Sequence, residues 1–241
     1  MLGTRRRTRT PAAPTWPRRY HRQVRTVVVA LPPDTDPRLL PELASTELRL
    51  RGMTTHGVIP HFVARTRRSS KLIDRWHGLT SGGPIRLLDL GVMRRNAAAV
   101  AAAQWQLWQQ VVAGTKPAQP FWYFADRHHG DPHRYRLDRV QADYLAQPRV
   151  VAMNVYNALP HRVCDLPTAA LEALQAGYGS YVNLAWLAAV PADALAVAYG
   201  GGWLTARSER LADQIAYLQA ANAHVDGLNP TLQLAAMAIP V

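Results

Sequence analysis

From Val92 to Ala113 the chain runs without a proline or glycine and then meets Gly114 and Pro117, which predicts one long helix. Ala97, Val100, Ala101, Gln104, Trp108 and Val111 recur along it at three- and four-residue steps, and Trp105 and Val112 widen the stripe. A rod with one apolar side must lie against other elements, and its alanine-rich middle lets a second helix approach closely. A core-facing stripe is the default reading. Trp105 and Trp108, which anchor its end, are also the residues expected to serve a subunit interface.

The flanking chain supplies the elements for that helix to pack on. Upstream, the β-branched run Thr26–Leu31 reads as a buried strand stopped by Pro32-Pro33. Asp36-Pro37 opens a helix over Pro37–Arg51 that Gly52 ends. Val58–Ala64 is a second strand, which Pro60 assigns to an edge or a bulge. A short helix through Leu72, Ile73 and Trp76 should end at Gly78. Thr80–Pro84 reads as a flexible connector, since its Gly-Gly pair lacks the GxxxxGK[ST] spacing of a phosphate-binding loop.

Downstream, Phe121–Arg139 gathers aromatics, histidines, carboxylates and arginines more densely than any other stretch. Phe121 to Phe124 reads as a buried strand. Asp131-Pro132 then starts a helix carrying Leu137, Val140 and Tyr144 on one side and ending before Pro148. Val151, Met153 and Val155 alternate like a strand, and helices follow over Pro167–Ala176, Tyr181–Val190, Ala192–Tyr199 and Ala206–Ala223, the last capped by Thr205. Leu211, Ile215, Leu218 and Asn222 share a face of that last helix.

These elements amount to an α+β fold, helix-rich, with a small N-terminal mixed sheet, a mostly helical C-terminal half and a basic N-terminal arm. The expected organisation is an arm over 1–24, a mixed part over 25–120 and a helix-rich part over 121–241. Its end is apolar. Leu232, Leu234, Met237 and Ile239 follow the last charge, Asp226, and are expected to form an assembly or docking strand. Gly201-Gly202-Trp203-Leu204, a helix ending Leu-Gln-Ala-Ala-Asn, Asn229-Pro230 and a closing Ile239-Pro240 together resemble the layout of a LysM module. That family's Gly-Asp-Thr and Gly-Gln turns are missing, and no glycan-binding residue is carried over.

Charge narrows the partners. The formal net charge is +12, and Arg5, Arg6, Arg7, Arg9, Arg18, Arg19, Arg22 and Arg25 supply eight positive charges before the first carboxylate, Asp34. Arg65, Arg67 and Arg68 form a second cluster, and lysine occurs only at 71 and 116. Guanidinium contacts phosphate in planar, bidentate fashion, and runs of like charge commonly serve as interaction tails. These arginines are therefore the expected nucleic-acid contacts, whether to DNA or to RNA.

Cys164 is the single cysteine, so intramolecular disulfides are excluded. It has no strongly activating neighbour, and no GxSxG or SxxK motif occurs. No apolar run reaches a membrane span's roughly 18 residues. The N-terminus lacks a secretory signal's apolar segment, and its prolines at 11, 14 and 17 would interrupt a mitochondrial presequence helix. The function expected is a non-enzymatic structural or assembly protein of a nucleic-acid-containing particle, without a cofactor, intracellular or in a virion, with the mitochondrial matrix as the alternative location. The competing expectation is a metal-dependent enzyme, such as a nuclease, built on His128, His129, Asp131 and His133, because imidazole and carboxylate suit transition metals.

Overall fold

In the computed structural model, which describes residues 24–66, 70–198 and 201–240, the first β-branched run is strand β1, Val24–Leu31. Val27, Val28, Val29 and Ala30 are fully buried, the pattern of a central strand covered on both faces. Its neighbours come from the far end of the chain. β1 pairs in parallel with β6 (Ala194–Val197) and antiparallel with β8 (Gln233–Pro240) along its whole length. β8 also pairs with β2 (Gly57–Val58) and with β5 (Gly82–Pro84), and β6 carries β7 (Trp203–Thr205) on its other side. The fold is α+β, with a mixed sheet.

Alternation along β1 and β8 divides the core between two faces. Val27, Val29, Ala235 and Met237 pack with Leu40, Ala44 and Leu48 of α1, Leu40–Leu50. Val28, Ala30, Leu234 and Ala236 face Leu187 on α7 (Tyr178–Ala188) and Leu218 and Ala221 on α8 (Leu211–Asp226). The long helix, α2, runs over Leu90–Val111 and packs along α7. Beyond it a second apolar cluster joins α3 (Phe121–Gly130), α4 (Leu137–Leu145), α5 (Pro148–Ala158) and α6 (Leu171–Gln175).

Several expectations are overturned by partners the local pattern does not contain. Phe121 to Phe124 are helical because Phe121 and Phe124, three apart, both set their rings against Tyr144, with centroids 5.4 and 6.2 Å away. Val151–Val155 is also helical: Pro148 sits in the first turn, and Val150 and Met153 bury one face. Ala194–Val197 is a strand because β1 lies beside it. Asp131 Oδ1 accepts the Arg134 N–H (3.1 Å), yet the turn that it caps does not continue, and the helix begins at Leu137. The segment Ala206–Arg210 is likewise not helical, and α8 starts at Leu211. Val58–Ala64 divides around Pro60 into β2 and β3 (Phe62–Val63).

The largest correction concerns the C-terminus. Leu234 and Met237 are fully buried within the chain's own sheet, and Leu232 and Ile239 are half-buried at either end of β8. The apolar run that marks this segment as a docking strand is satisfied by β1, β2 and β5. Leu234 and Met237 are therefore core residues of the chain's own sheet, and the segment is not a separable LysM-like module. Trp108 and Trp105 also turn inward: Trp108 is 3% exposed, and Trp105 donates its indole N–H to Leu174 O (3.1 Å). The boundary expected at residue 120 separates no two units, because β6, β7 and β8 complete the sheet that β1 begins.

Candidate nucleic-acid interface

Residues 65–95 hold eight cations, Arg65, Arg67, Arg68, Lys71, Arg75, Arg86, Arg94 and Arg95, against two carboxylates, Asp74 and Asp89. The strand at their centre is β4, Leu79–Thr80, which pairs with β3 on one side and, through the isolated bridges Ile73–Gly82 and Trp76–Leu79, with residues 73–76 on the other, so that 73–82 form a tight hairpin. At its tip Trp76 N–H donates to Leu79 O (2.9 Å) and Leu79 N–H to Trp76 O (2.8 Å). The intervening residues have φ of +48° at His77 and +87° at Gly78. Two successive positive angles define a type I′ turn, whose twist matches that of the strands it joins. The sequence expectation of a short helix ending at Gly78 is thus replaced by a tight turn.

The segment entering the tip is sewn to the body by buried hydroxyls. Ile73 and Gly82 form an isolated bridge, Thr80 Oγ1 donates to Gly82 O (2.9 Å), and Ser81 Oγ donates to Asp74 Oδ2 (2.8 Å). Thr80 and Ser81 are fully buried. The stretch 80–84, expected to be a flexible connector, therefore enters the sheet. Gly82 is required there, since a Cβ on it would stand 2.2 Å from Leu234 O.

Trp76 is 62% exposed and meets His77 edge-on, with centroids 4.9 Å apart. Lys71 and Arg75 are exposed just before it. Ala64 N–H donates to Gly78 O (3.0 Å) and Arg65 N–H to Leu87 O (2.9 Å), which sets exposed Arg65 beside the tip and next to exposed Arg86. The two carboxylates of the segment are engaged in the fold: Asp74 holds Ser81, and Asp89 Oδ1 accepts the Val92 N–H (3.0 Å) at the start of α2. Arg94 is drawn inward to Asn222 (2.7 Å) and Asp226 (2.8 Å). On the segment beside β4, where its N–H donates to Thr80 O (3.1 Å), His61 has Nε2 3.1 Å from Val190 O, and burial pushes its pKa below the ordinary value.

Of the other expected contacts, Arg25 is exposed on β1 opposite Ile239. That is four residues along β8 from Ala235, the partner of Gly82, or about 14 Å at the usual rise of a strand. Arg5, Arg6, Arg7, Arg9, Arg18, Arg19 and Arg22, together with Arg67 and Arg68, lie outside the described residues. In the helical half, three arginines with local carboxylates are Arg210 with Asp126 (2.7 Å), Arg139 with Asp143 (3.8 Å), and Arg162 with Asp165.

The alternative metal set does not converge. His128 Nδ1 is 2.8 Å from Tyr135 O, and Asp131 is occupied by the Arg134 N–H and, at 3.8 Å, its guanidinium. Among the described residues no group of three or more His, Cys, Asp or Glu side chains is placed to hold a metal ion. Nor is any helix among them long and apolar enough to cross a membrane.

Trp76 is the feature sequence reasoning missed as a site residue, because its periodicity with Leu72 and Ile73 imitates a helix. The signal was the His77-Gly78 pair, a turn dipeptide directly after an aromatic residue. No protein-family model, curated protein or solved structure matches the chain.

Proposed function

We propose that the protein is a non-enzymatic structural or assembly component of a large nucleic-acid-containing particle, a virion or a ribosome-like complex, and that it contacts phosphate through arginine. The observation that carries this reading is the excess of cations over residues 65–95, with Arg65, Lys71 and Arg75 exposed around a braced hairpin. Charge held on a fixed scaffold meets a polyanion without first losing backbone entropy, and phosphate neutralisation releases counterions. The arginines before Asp34 extend the same chemistry by sequence. Support for neighbouring subunits comes from α5 and its exit. Val151, Val155 and Leu159, four residues apart, and Val163 beyond them are 43, 60, 48 and 87% exposed, a stripe that a second protein surface would cover.

The test is binding of the full chain to a mixed-sequence oligonucleotide across a salt series, alongside native mass spectrometry of the purified protein. The expected result is binding at low salt with log K falling linearly in log salt. Neutralising Arg65, Lys71 and Arg75 together to glutamine should flatten the slope by about 0.7–0.9 for each phosphate that these side chains neutralise. Failure of the unmodified chain to bind at low salt would overturn the proposal.

A further inference from the structure

The hairpin carries a ring as well as charge, and the ring specifies what kind of nucleic acid suits it. We infer that Trp76 is a stacking platform for an unpaired base, so that the strand gripped by this hairpin is single-stranded. The inference rests on the nucleic-acid reading above.

Three observations carry it. The indole is 62% exposed at the tip of a type I′ turn closed by two backbone hydrogen bonds, so it is presented in a fixed place. Exposed cations stand near it: Arg75 precedes the ring in the chain, and Arg65, on the strand beside the hairpin, follows Ala64, whose N–H donates to Gly78 O (3.0 Å). The third is how little aliphatic surface accompanies the ring among the described residues: Leu72 is buried, Ile73 packs on the sheet core, and Leu79, opposite Trp76 across the turn, is half-buried. A membrane-inserting or protein-docking tip needs a larger apolar area than one ring, whereas base stacking needs one π-face and nearby positive charge. In a duplex the base faces are covered by their neighbours, and a side chain on a tight turn cannot reach them without unstacking a step. An unpaired base offers its face directly.

The experiment compares the full chain with Trp76→Ala, Trp76→Phe and the Arg65→Gln/Arg75→Gln pair. Each is titrated with a single-stranded oligonucleotide, the same sequence as a duplex, and phosphatidylglycerol vesicles, with thermal melts confirming that every variant is folded. Trp76→Ala should weaken single-strand binding about tenfold and leave duplex binding nearly unchanged, while Trp76→Phe keeps most of the affinity. The salt slope should fall only in the arginine pair. If Trp76→Ala binds the single strand as the unmodified chain does while the arginine pair flattens the slope, the stacking inference is wrong and the phosphate-binding reading stands. If the unmodified chain binds no nucleic acid, both fail. Trp76-dependent binding to vesicles without a preference for single strands would overturn the inference in favour of a lipid surface.

Discussion

The sheet and the helical half both bury apolar cores, and they differ in how their backbones are fastened. In the sheet, β1 and β8 bring the two ends of the described chain into eight consecutive residue pairs, and both faces are covered, so identity there is set by volume. The helical half buries an apolar core of its own around Met153, Leu166 and Leu174, and adds polar side chains that clamp backbone. Gln175 accepts the Ala118 N–H (2.8 Å) and donates to Ala118 O (2.7 Å). Asn157 does the same for Leu166, at 2.8 Å in both directions, and Tyr144 Oη donates to Thr168 O (2.9 Å). The difference is one of redundancy. A strand buried on both faces has no substitute partner, whereas each clamp is one bond among several, with a net worth of about 1 kcal/mol.

The strongest way to break this comparison is to remove β8. A chain ending at Leu232 should lose cooperative unfolding altogether, since β1, β2 and β5 all lose their partner and Leu234 and Met237 leave the core. A melt monitored by near-ultraviolet circular dichroism decides it: a retained sharp transition would mean that β8 is dispensable to the core.

Next in size is Gly82→Ala. The added methyl meets Leu234 O at 2.2 Å and Ala235 Cα at 3.0 Å, and backbone cannot rotate away as a side chain can. The expected loss is about 3 kcal/mol or more by urea denaturation, and a loss below about 1 kcal/mol would show that β5 has slack the fold does not reveal.

On the helical side, Gln175→Ala removes both bonds to Ala118 and one partner of Arg149 Nη1 (2.8 Å). Because solvent can reach the partly exposed site, the expected cost is about 1–3 kcal/mol with two-state unfolding preserved. Unfolding comparable to the β8 truncation would erase the distinction between the two regions.

The smallest effect is a pH dependence on the sheet side, at His61 beside β4. Burial holds the His61 pKa below its ordinary value of 6.5, partly offset by the Val190 carbonyl and the Asp193 carboxylate. The unfolded chain therefore binds this proton more readily than the folded one. The contribution is fully present above about pH 6.5 and is lost as pH falls towards the lower folded value. His61→Gln should flatten the decline in stability between neutral and mildly acidic pH, and identical slopes for variant and unmodified chain would remove His61 from the account.

Where local pattern and tertiary partner agree, the sequence is readable. The Val27–Leu31 run is a buried strand, α2 lies within one residue or two of its predicted ends, and Asn222, placed by spacing on the face of α8 with Leu218, is buried there and donates to Leu187 O and Leu218 O. The basic cluster around Arg65 is also a sequence feature. Its ring is not: only the closing bonds between Trp76 and Leu79 distinguish an exposed tip from a helical stripe.

What the chain determined by itself are the elements long enough for periodicity to speak, the charge excess of residues 65–95, and the breakers that end each segment. Tertiary structure decided the short apolar runs. Over four residues, spacing that suits a helix and spacing that suits a strand are nearly indistinguishable, so Phe121–Phe124 became helix against Tyr144 and Ala194–Val197 became strand against β1. The C-terminal run carried its burial in its composition, but its partner lay some two hundred residues away in β1, where no local pattern can point.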